Sequence, residues 1–372
     1  MNLLKLIASH IFGPVMSKRK IYLIKWLISP LLAIVIFVLT QVLNKYPQLV
    51  EDYYSQKIYP LLAAIISFFS KWIPVSLDDI FYILLILTGI LILIFLIFRK
   101  ISPKLSGLIV INILAVVYIL FYILWGFNYF RSDINSRLNL ISGTIESDEF
   151  LKAFSHLVEV TNKSYTSFEE TNPAEVDSLI EDSYRKLAPV LKLDYPAGSR
   201  RSKYITLSGF FAKAGISGYF GPFFNEVHIN KKLLPVEYPF VLAHEKAHQF
   251  GITGEAEANF YAWLVCTGSE SKQLQYSANL VALKYFIMHG SGDEKTRTVT
   301  SKISKQVIHD IMEIQKYWMN LRDEKVEAVA ERVNDAYLKT NQIETGIRDY
   351  TGIVKHIMDF SLDSAFQQRA GF

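Results

Sequence analysis

The residue types best suited to chemistry in this chain fall in one short stretch, His244-Glu245-Lys246-Ala247-His248. Residues four apart share one face of a helix, so the imidazoles at 244 and 248 can point at a single ion. Glu245, one residue on, projects beside them and can reach a water at that ion without ligating it. Two histidines and a glutamate at this spacing are the ligands and general base of HExxH zinc sites. The surrounding helix is otherwise apolar, with Val241, Leu242, Ala243 and Ala247. Burying two imidazoles and a carboxylate there without partners is costly, and a metal supplies the partner.

Catalytic zinc usually takes three protein ligands and keeps a fourth position open. The third is expected close by. Gly251 can end the first helix in a left-handed cap, and Gly254 allows a second tight turn. Glu255 then opens a helix that returns a carboxylate toward the histidines. Glu257 is the competing ligand. It lies about 200° around the helix from Glu255, so the two cannot face one ion, and Glu255 is preferred. The run Glu255-x-x-Ala258-Asn259 resembles the Glu-x-x-Ala/Ser-Asp signature of gluzincin metallopeptidases. That resemblance implies a zinc-binding Glu255 and a residue at 259 that supports the first histidine. Asn259 replaces the aspartate of that class; it can accept an imidazole N–H but adds no charge. A metzincin motif would need its third histidine at Gly254 and is excluded.

The elements that must position these groups follow from pattern. Glu226-Val227-His228-Ile229-Asn230 alternates as a half-buried strand does. In zincin proteases an edge strand at this place in the order pairs with extended substrate. His228, and more weakly Tyr219, are candidates to stabilise an oxyanion there. A small sheet is expected from this strand, the extended Tyr204-Ile205-Thr206-Leu207 and the glycine-rich stretch between them. Helical spacing of apolar residues predicts helices over 146–162, 175–191, 298–332 and 349–360, and one beginning near Phe240.

Composition divides the chain. Of its 372 residues 51% are hydrophobic and 20% charged, below the usual charged share of about a quarter. The apolar excess lies in the first third, where three runs at about 21–43, 80–98 and 107–127 are long enough to cross a bilayer. A shorter run at about 58–73, with Pro60 and Lys71, reads as an interfacial helix. The aromatic run Trp125 to Tyr129 suits a membrane–water boundary. The first run is too long for a signal peptide and lacks a cleavage site. Lys5, Lys18, Arg19, Lys20 and Lys25 at the first run, and Arg99, Lys100 and Lys104 between the second and third, belong on the cytoplasmic side. Residues 1–131 are thus a membrane anchor, and 132–372 an extracytoplasmic domain. The lone Cys266 sits in an apolar helical context and reads as a small buried hydrophobe. No basic stripe with interleaved aromatics suggests a nucleic-acid partner.

Taken together, the sequence is similar to an uncharacterised family of bacterial membrane proteins defined by a domain of unknown function. The likeness rests on Trp125-Gly-x-Asn128-Tyr129, on His244 to Asn259, and on Tyr337-Leu-Lys-x-Asn341 through Gly346. Ile343 departs from the family's glutamine. The resemblance implies the three-span architecture, in the inner membrane with the second part periplasmic, and adds little on substrate. The expected fold is mainly α: transmembrane helices, then a zincin-like α+β domain with a small sheet and a helical C-terminal part. The expected activity is zinc-dependent cleavage of peptide bonds in an extracytoplasmic peptide or protein, by a water activated at Zn2+. The alternatives are a non-catalytic zinc-containing membrane sensor or scaffold, and a zinc amidase acting on cell-wall peptides.

Overall fold

The computed structural model describes residues 18–167 and 172–372; Lys5 of the basic leader lies outside them. The first described element is α1 (Lys18–Leu43). A helical turn at Pro47–Leu49 widens into π-type turns over Val50–Ile58 and continues as α2 (Tyr59–Ser70). Next come α3 (Leu77–Ile97) and α4 (Pro103–Leu124). A 3-10 turn (Gly126–Phe130) leads to α5 (Ile134–Leu138), α6 (Ser147–Ser164) and α7 (Pro173–Leu187). Then follow β1 (Ser202–Tyr204), α8 (Ser208–Lys213), β2 (Gly218–Gly221) and β3 (Glu226–Ile229). The helices α9 (Tyr238–Gln249), α10 (Glu255–Thr267) and α11 (Lys272–His289) form the centre of the second part. The chain closes with α12 (Glu294–Thr300), α13 (Lys305–Leu321), α14 (Glu324–Thr340), a 3-10 turn (Gly346–Gly352), α15 (Ile353–Leu362) and α16 (Ser364–Ala370).

Two compact units result. One comprises the described part of Met1–Lys45 with Phe81–Ile123; the other comprises Tyr46–Ile80 with Leu124–Phe372. Among the described residues, three helices are long and apolar enough to cross a membrane: Lys25–Leu43, Leu77–Ile97 and Pro103–Leu124, with mean hydropathies of 2.3, 3.2 and 2.7. Ser29 Oγ on α1 donates to Asn112 Oδ1 on α4 at 2.6 Å, and Asn112 Nδ2 donates back to Trp26 O at 3.1 Å. Such interhelical polar links hold apolar helices in register where no water competes.

The second span starts three residues earlier than hydropathy alone predicts, because Asp78 and Asp79 form its first turn. Free N–H groups at a helix start favour acidic partners. Here Glu226 accepts from Leu77 N at 2.8 Å, while Asp78 accepts from Phe223 N at 3.2 Å and Phe224 N at 3.3 Å. The third span ends at Leu124. The aromatic run that follows is buried in the second unit, where Trp125, Phe127 and Asn128 are 5%, 7% and 0% exposed.

The second unit is mainly helical with one small sheet. Its strands lie in the order β1-β3-β2, with β1 parallel and β2 antiparallel to β3. All four residues of β3 are buried rather than alternating, as befits a central strand covered on both faces. The long helix expected over 298–332 is broken twice, where Ser304 Oγ caps Val307 N and Asp323 caps Lys325 N and Val326 N. Both are good N-cap residue types, a signal that apolar periodicity alone overlooks. Cys266 is fully buried in α10, as expected.

Helix α9 is anchored by charge on its side away from the histidines. Lys246 is 0% exposed and its Nζ lies 2.5 Å from carboxylate oxygens of both Asp177 and Glu181, one turn apart on α7. Arg200 Nε adds a bond to Glu181 at 3.0 Å, and its guanidinium lies 3.6 Å from the centre of the Phe250 ring. Burial pushes the Glu181 carboxyl up, but Arg200 and Lys246 outweigh it and hold it below its ordinary value of 4.5. A depressed carboxylate stabilises the fold above its unfolded value and loses that contribution as pH falls through its folded value. Glu181→Gln should therefore cost about 3 kcal/mol at neutral pH, read as a lowered thermal midpoint in detergent. The gap from wild type should close on acidification; equal midpoints at neutral pH would refute the anchor.

Candidate metal centre

One turn of α9 separates His244 from His248, and their Nε2 atoms face each other at 3.1 Å. Glu255 Oε2 lies 3.2 Å from the first and 3.3 Å from the second. These three atoms form a nearly equilateral triangle. Bonds of about 2.0–2.1 Å to a tetrahedral zinc imply edges of about 3.3 Å, so the donor set fits that ion. Glu255 Oε2 is also buried without a hydrogen-bond partner, as expected of an oxygen built to ligate. His244, His248 and Glu255 keep 8%, 7% and 8% of their exposure, so the centre is nearly but not fully closed to solvent.

The chain brings Glu255 back by a short reversal. Gly251 ends α9 with φ +79°, where glycine is favoured. A Cβ there would also meet the Asn128 side chain at 2.9 Å. Gly254 is extended rather than a tight turn and caps α10. The carboxylate of Asp349 accepts from Ala256 N at 3.0 Å and fixes the first turn that carries Glu255.

His248 Nδ1 lies 2.7 Å from Ile252 O. A carbonyl only accepts, so Nδ1 carries a proton and Nε2 is the nitrogen available for a ligand role once it gives up its own. His244 Nδ1 has no hydrogen-bond partner. Asn259, expected to support it, is turned elsewhere: its Nδ2 donates to Tyr350 O at 3.2 Å. Tyr350 instead lies parallel to the His244 ring, with centres 6.4 Å apart. Glu257 is likewise directed away, paired with Arg137 and accepting from Ile134 N at 3.2 Å. Helix geometry thus separates the two glutamates as the sequence required.

Burial opposes charge on His248, but Glu255 outweighs it and raises the imidazole to about 9. Burial also pushes Glu255 up, and the two histidines overcome that and hold it well below the carboxylate range. The group therefore favours positive charge among its ligand atoms. Glu245 is 5% exposed; burial raises its carboxyl to about 6, against the pull of His244 and His248.

His228 and Tyr219 are not brought to this centre. His228 sits on the central strand, and the edge strand beside α9 is β2. Gly218 backs onto Glu245 and Phe220 onto Trp125, so strand alternation turns Tyr219 and His228 to the other face. There the two rings stack at 4.3 Å; Tyr219 OH donates to Asp79, and His228 Nε2 contacts Ser76 Oγ at 2.8 Å. Asp78, Glu226 and His228 form a second buried group whose potential ligand atoms lie within 4.8 Å of one another. Lys203 pairs with Glu226 there, and backbone N–H groups occupy Asp78. This network joins the start of α3 to the sheet.

Sequence reasoning missed the groups that hold the end of α9. Trp125 Nε1 donates to His248 O at 3.0 Å, Tyr59 OH to Gln249 O at 2.8 Å, and Arg131 Nη1 to Gly251 O at 2.9 Å. It also missed that Tyr129 OH donates to Tyr337 OH at 3.0 Å, which links the aromatic run after α4 to the late Tyr337 to Gly346 segment. Both motifs stand out in the sequence, but nothing local in either points to the other.

The chain is thus a mainly helical protein with, among its described residues, three helices long and apolar enough to cross a membrane and a buried His, His, Glu cluster. It belongs to the family described as "Protein of unknown function (DUF3810)", which matches residues 54–358. No curated protein and no solved structure matches it.

A Cβ at Gly218 would lie 2.8 Å from Glu245 Oε1 and 2.9 Å from His228 O. Gly218→Ala should therefore displace β2 or Glu245 and lower stability by about 1–3 kcal/mol. Gly209→Ala, which meets nothing within 4 Å, is the control for a thermal-unfolding comparison; equal midpoints would contradict the close approach.

Proposed function

We propose that this protein is a membrane-anchored zinc hydrolase, a zincin-like metallopeptidase acting on the extracytoplasmic side of a bacterial inner membrane. The observation that carries the reading is the triangle of His244 Nε2, His248 Nε2 and Glu255 Oε2, with edges of 3.1–3.3 Å. These three residues would hold the zinc. When bound, zinc supplies a Lewis acid that polarises a carbonyl and makes a water more acidic.

The chain's own residues do the rest. Glu245 follows the first ligand on the same helix and is 5% exposed; a carboxylate beside the ion is the type of group that takes a proton and gives it up again. It would accept the proton of the attacking water on a carboxylate oxygen and deliver it to the departing amine. Gly218 puts the backbone of β2 against Glu245, and β2 pairs with β3 alone in its sheet. An edge strand has free N–H and C=O groups that an extended peptide can pair with. The extracytoplasmic placement rests on Lys18, Arg19, Lys20 and Lys25 at α1 and Arg99, Lys100 and Lys104 before α4, which favour the cytoplasmic side.

Elemental analysis of the purified chain should find about one zinc per molecule. His244→Ala and Glu255→Ala should lose it, and Glu257→Ala should keep it. Retention in Glu255→Ala with loss in Glu257→Ala would move the third ligand to Glu257. Glu245→Gln should retain zinc while its turnover of a mixed peptide library falls by about 10²-fold or more. Wild-type turnover in that variant would refute the mechanism.

A further inference from the structure

Helix α2 has two faces of different fate. Tyr59, Pro60, Ala63, Ser67 and Ser70 are buried in the second unit. Tyr59 OH donates to Gln249 O, and Ser67 Oγ accepts from Ser199 N at 2.7 Å. The opposite face is apolar and open. Leu61, Ile65, Phe68 and Phe69, with Trp72 just beyond, are 62%, 50%, 52%, 66% and 72% exposed. Their spacing of four, three, one and three makes one continuous helical stripe. A soluble surface seldom leaves such a stripe uncovered.

The chain itself says what covers it. The segment lies between the candidate span ending at Leu43 and the one starting at Leu77. From Ser70, the end of α2, to Leu77 the chain reaches at most about 25 Å at 3.5 Å per residue, so the C-terminal end of the stripe cannot stray far from the start of that span. The turns that lead into α2, Val50–Ile58, carry Glu51, Asp52 and Lys57, so the apolar part is the 12 residues of α2, about 18 Å long and too short to cross a hydrocarbon core of about 30 Å. From Tyr53 to Ser76 the segment carries two lysines, Lys57 and Lys71, and no acidic residue. Lys71 Nζ lies 4.5 Å over the Phe68 ring and 5.0 Å over Trp72, a side chain lying along the apolar face as a lysine does when its stem is in lipid and its charge at the headgroups.

We propose that the Leu61–Trp72 stripe of α2 is seated in the interfacial layer of the lipid bilayer, so that the helix bonded to the end of α9 is also a lipid-contacting helix. The occupant is lipid rather than a second copy or a partner protein, because both ends of the segment continue into apolar spans. This does not depend on the metallopeptidase reading.

The test uses the full chain in nanodiscs of phosphatidylcholine and phosphatidylglycerol. Phe69→Cys is labelled with an environment-sensitive fluorophore; the native Cys266 is 0% exposed and is replaced by Ala. The same label at the exposed Lys213 is the control. Emission at 69 should be blue-shifted and quenched by brominated acyl chains at least about threefold more than at 213, the contrast expected of apolar contact with the acyl boundary. Equal quenching at the two positions overturns the proposal. So does self-quenching between labelled copies without quenching by brominated lipid, which would assign the face to a second copy. If Phe69→Cys does not fold, Trp72→Cys carries the same comparison. Because no metal or activity enters the readout, failure here is separable from failure of the zinc reading.

Discussion

The last carbonyls of a helix have no partner within it, and where they are buried something else must satisfy them. At the end of α9 those partners are Trp125 for His248, Tyr59 for Gln249 and Arg131 for Gly251. None of the three is near α9 in sequence. Trp125 directly follows the candidate span that ends at Leu124, and Tyr59 opens α2, in the stretch between two candidate spans. The charge of Arg131 is compensated by Glu51, with bonds of 2.7 and 2.8 Å. The position of a candidate metal ligand, His248, is thus set by segments that border helices long and apolar enough to cross a membrane. On the other side Lys246 pins the same helix to α7. His244 and His248 lie on a helix held from both directions, a rigid mounting that a ligand geometry with tenths of an ångström tolerance requires.

The same constraint explains the glycine that follows. Asn128 is fully buried and accepts from Ser55 Oγ at 2.8 Å, and its side chain fills the space where Gly251 would carry a Cβ. The reversal from α9 to α10 is therefore tight for two reasons, a left-handed backbone and a close neighbour. That reversal is what returns Glu255 to the two histidines, while Glu257 faces Arg137.

Much of this was legible in the sequence, and the parts that were not share a cause. His244, His248 and Glu255 could be brought together on paper because their geometry is local: one helix turn, one glycine reversal, one new helix. The three apolar helices were legible by length and composition for the same reason. Long-range polar partners were not. The first turn of α3 was misread because its carboxylates answer N–H groups from residues 206 to 224, a pairing no local pattern reveals. Lys246 was passed over because its partners, Asp177 and Glu181, lie on a distant helix. His228 was drawn toward the candidate metal centre by a correct strand assignment with the wrong place in the sheet, and Tyr219, its partner on β2, lies on the same far face. Order within a sheet depends on pairing, and only the pairing shows that β3 is central. Asn259 was expected on His244 from a motif whose aspartate it replaces, and it bonds Tyr350 O instead.

The central claim is that His244, His248 and Glu255 form an open three-ligand zinc centre. X-ray absorption at the zinc edge of the purified full chain tests it most directly, because it counts and types the atoms around the metal. The account predicts a shell of two imidazole nitrogens, one carboxylate and one oxygen not supplied by the protein, and no zinc signal above background in Glu255→Ala. A chain that takes up no zinc, or a closed shell of four protein ligands, would contradict it.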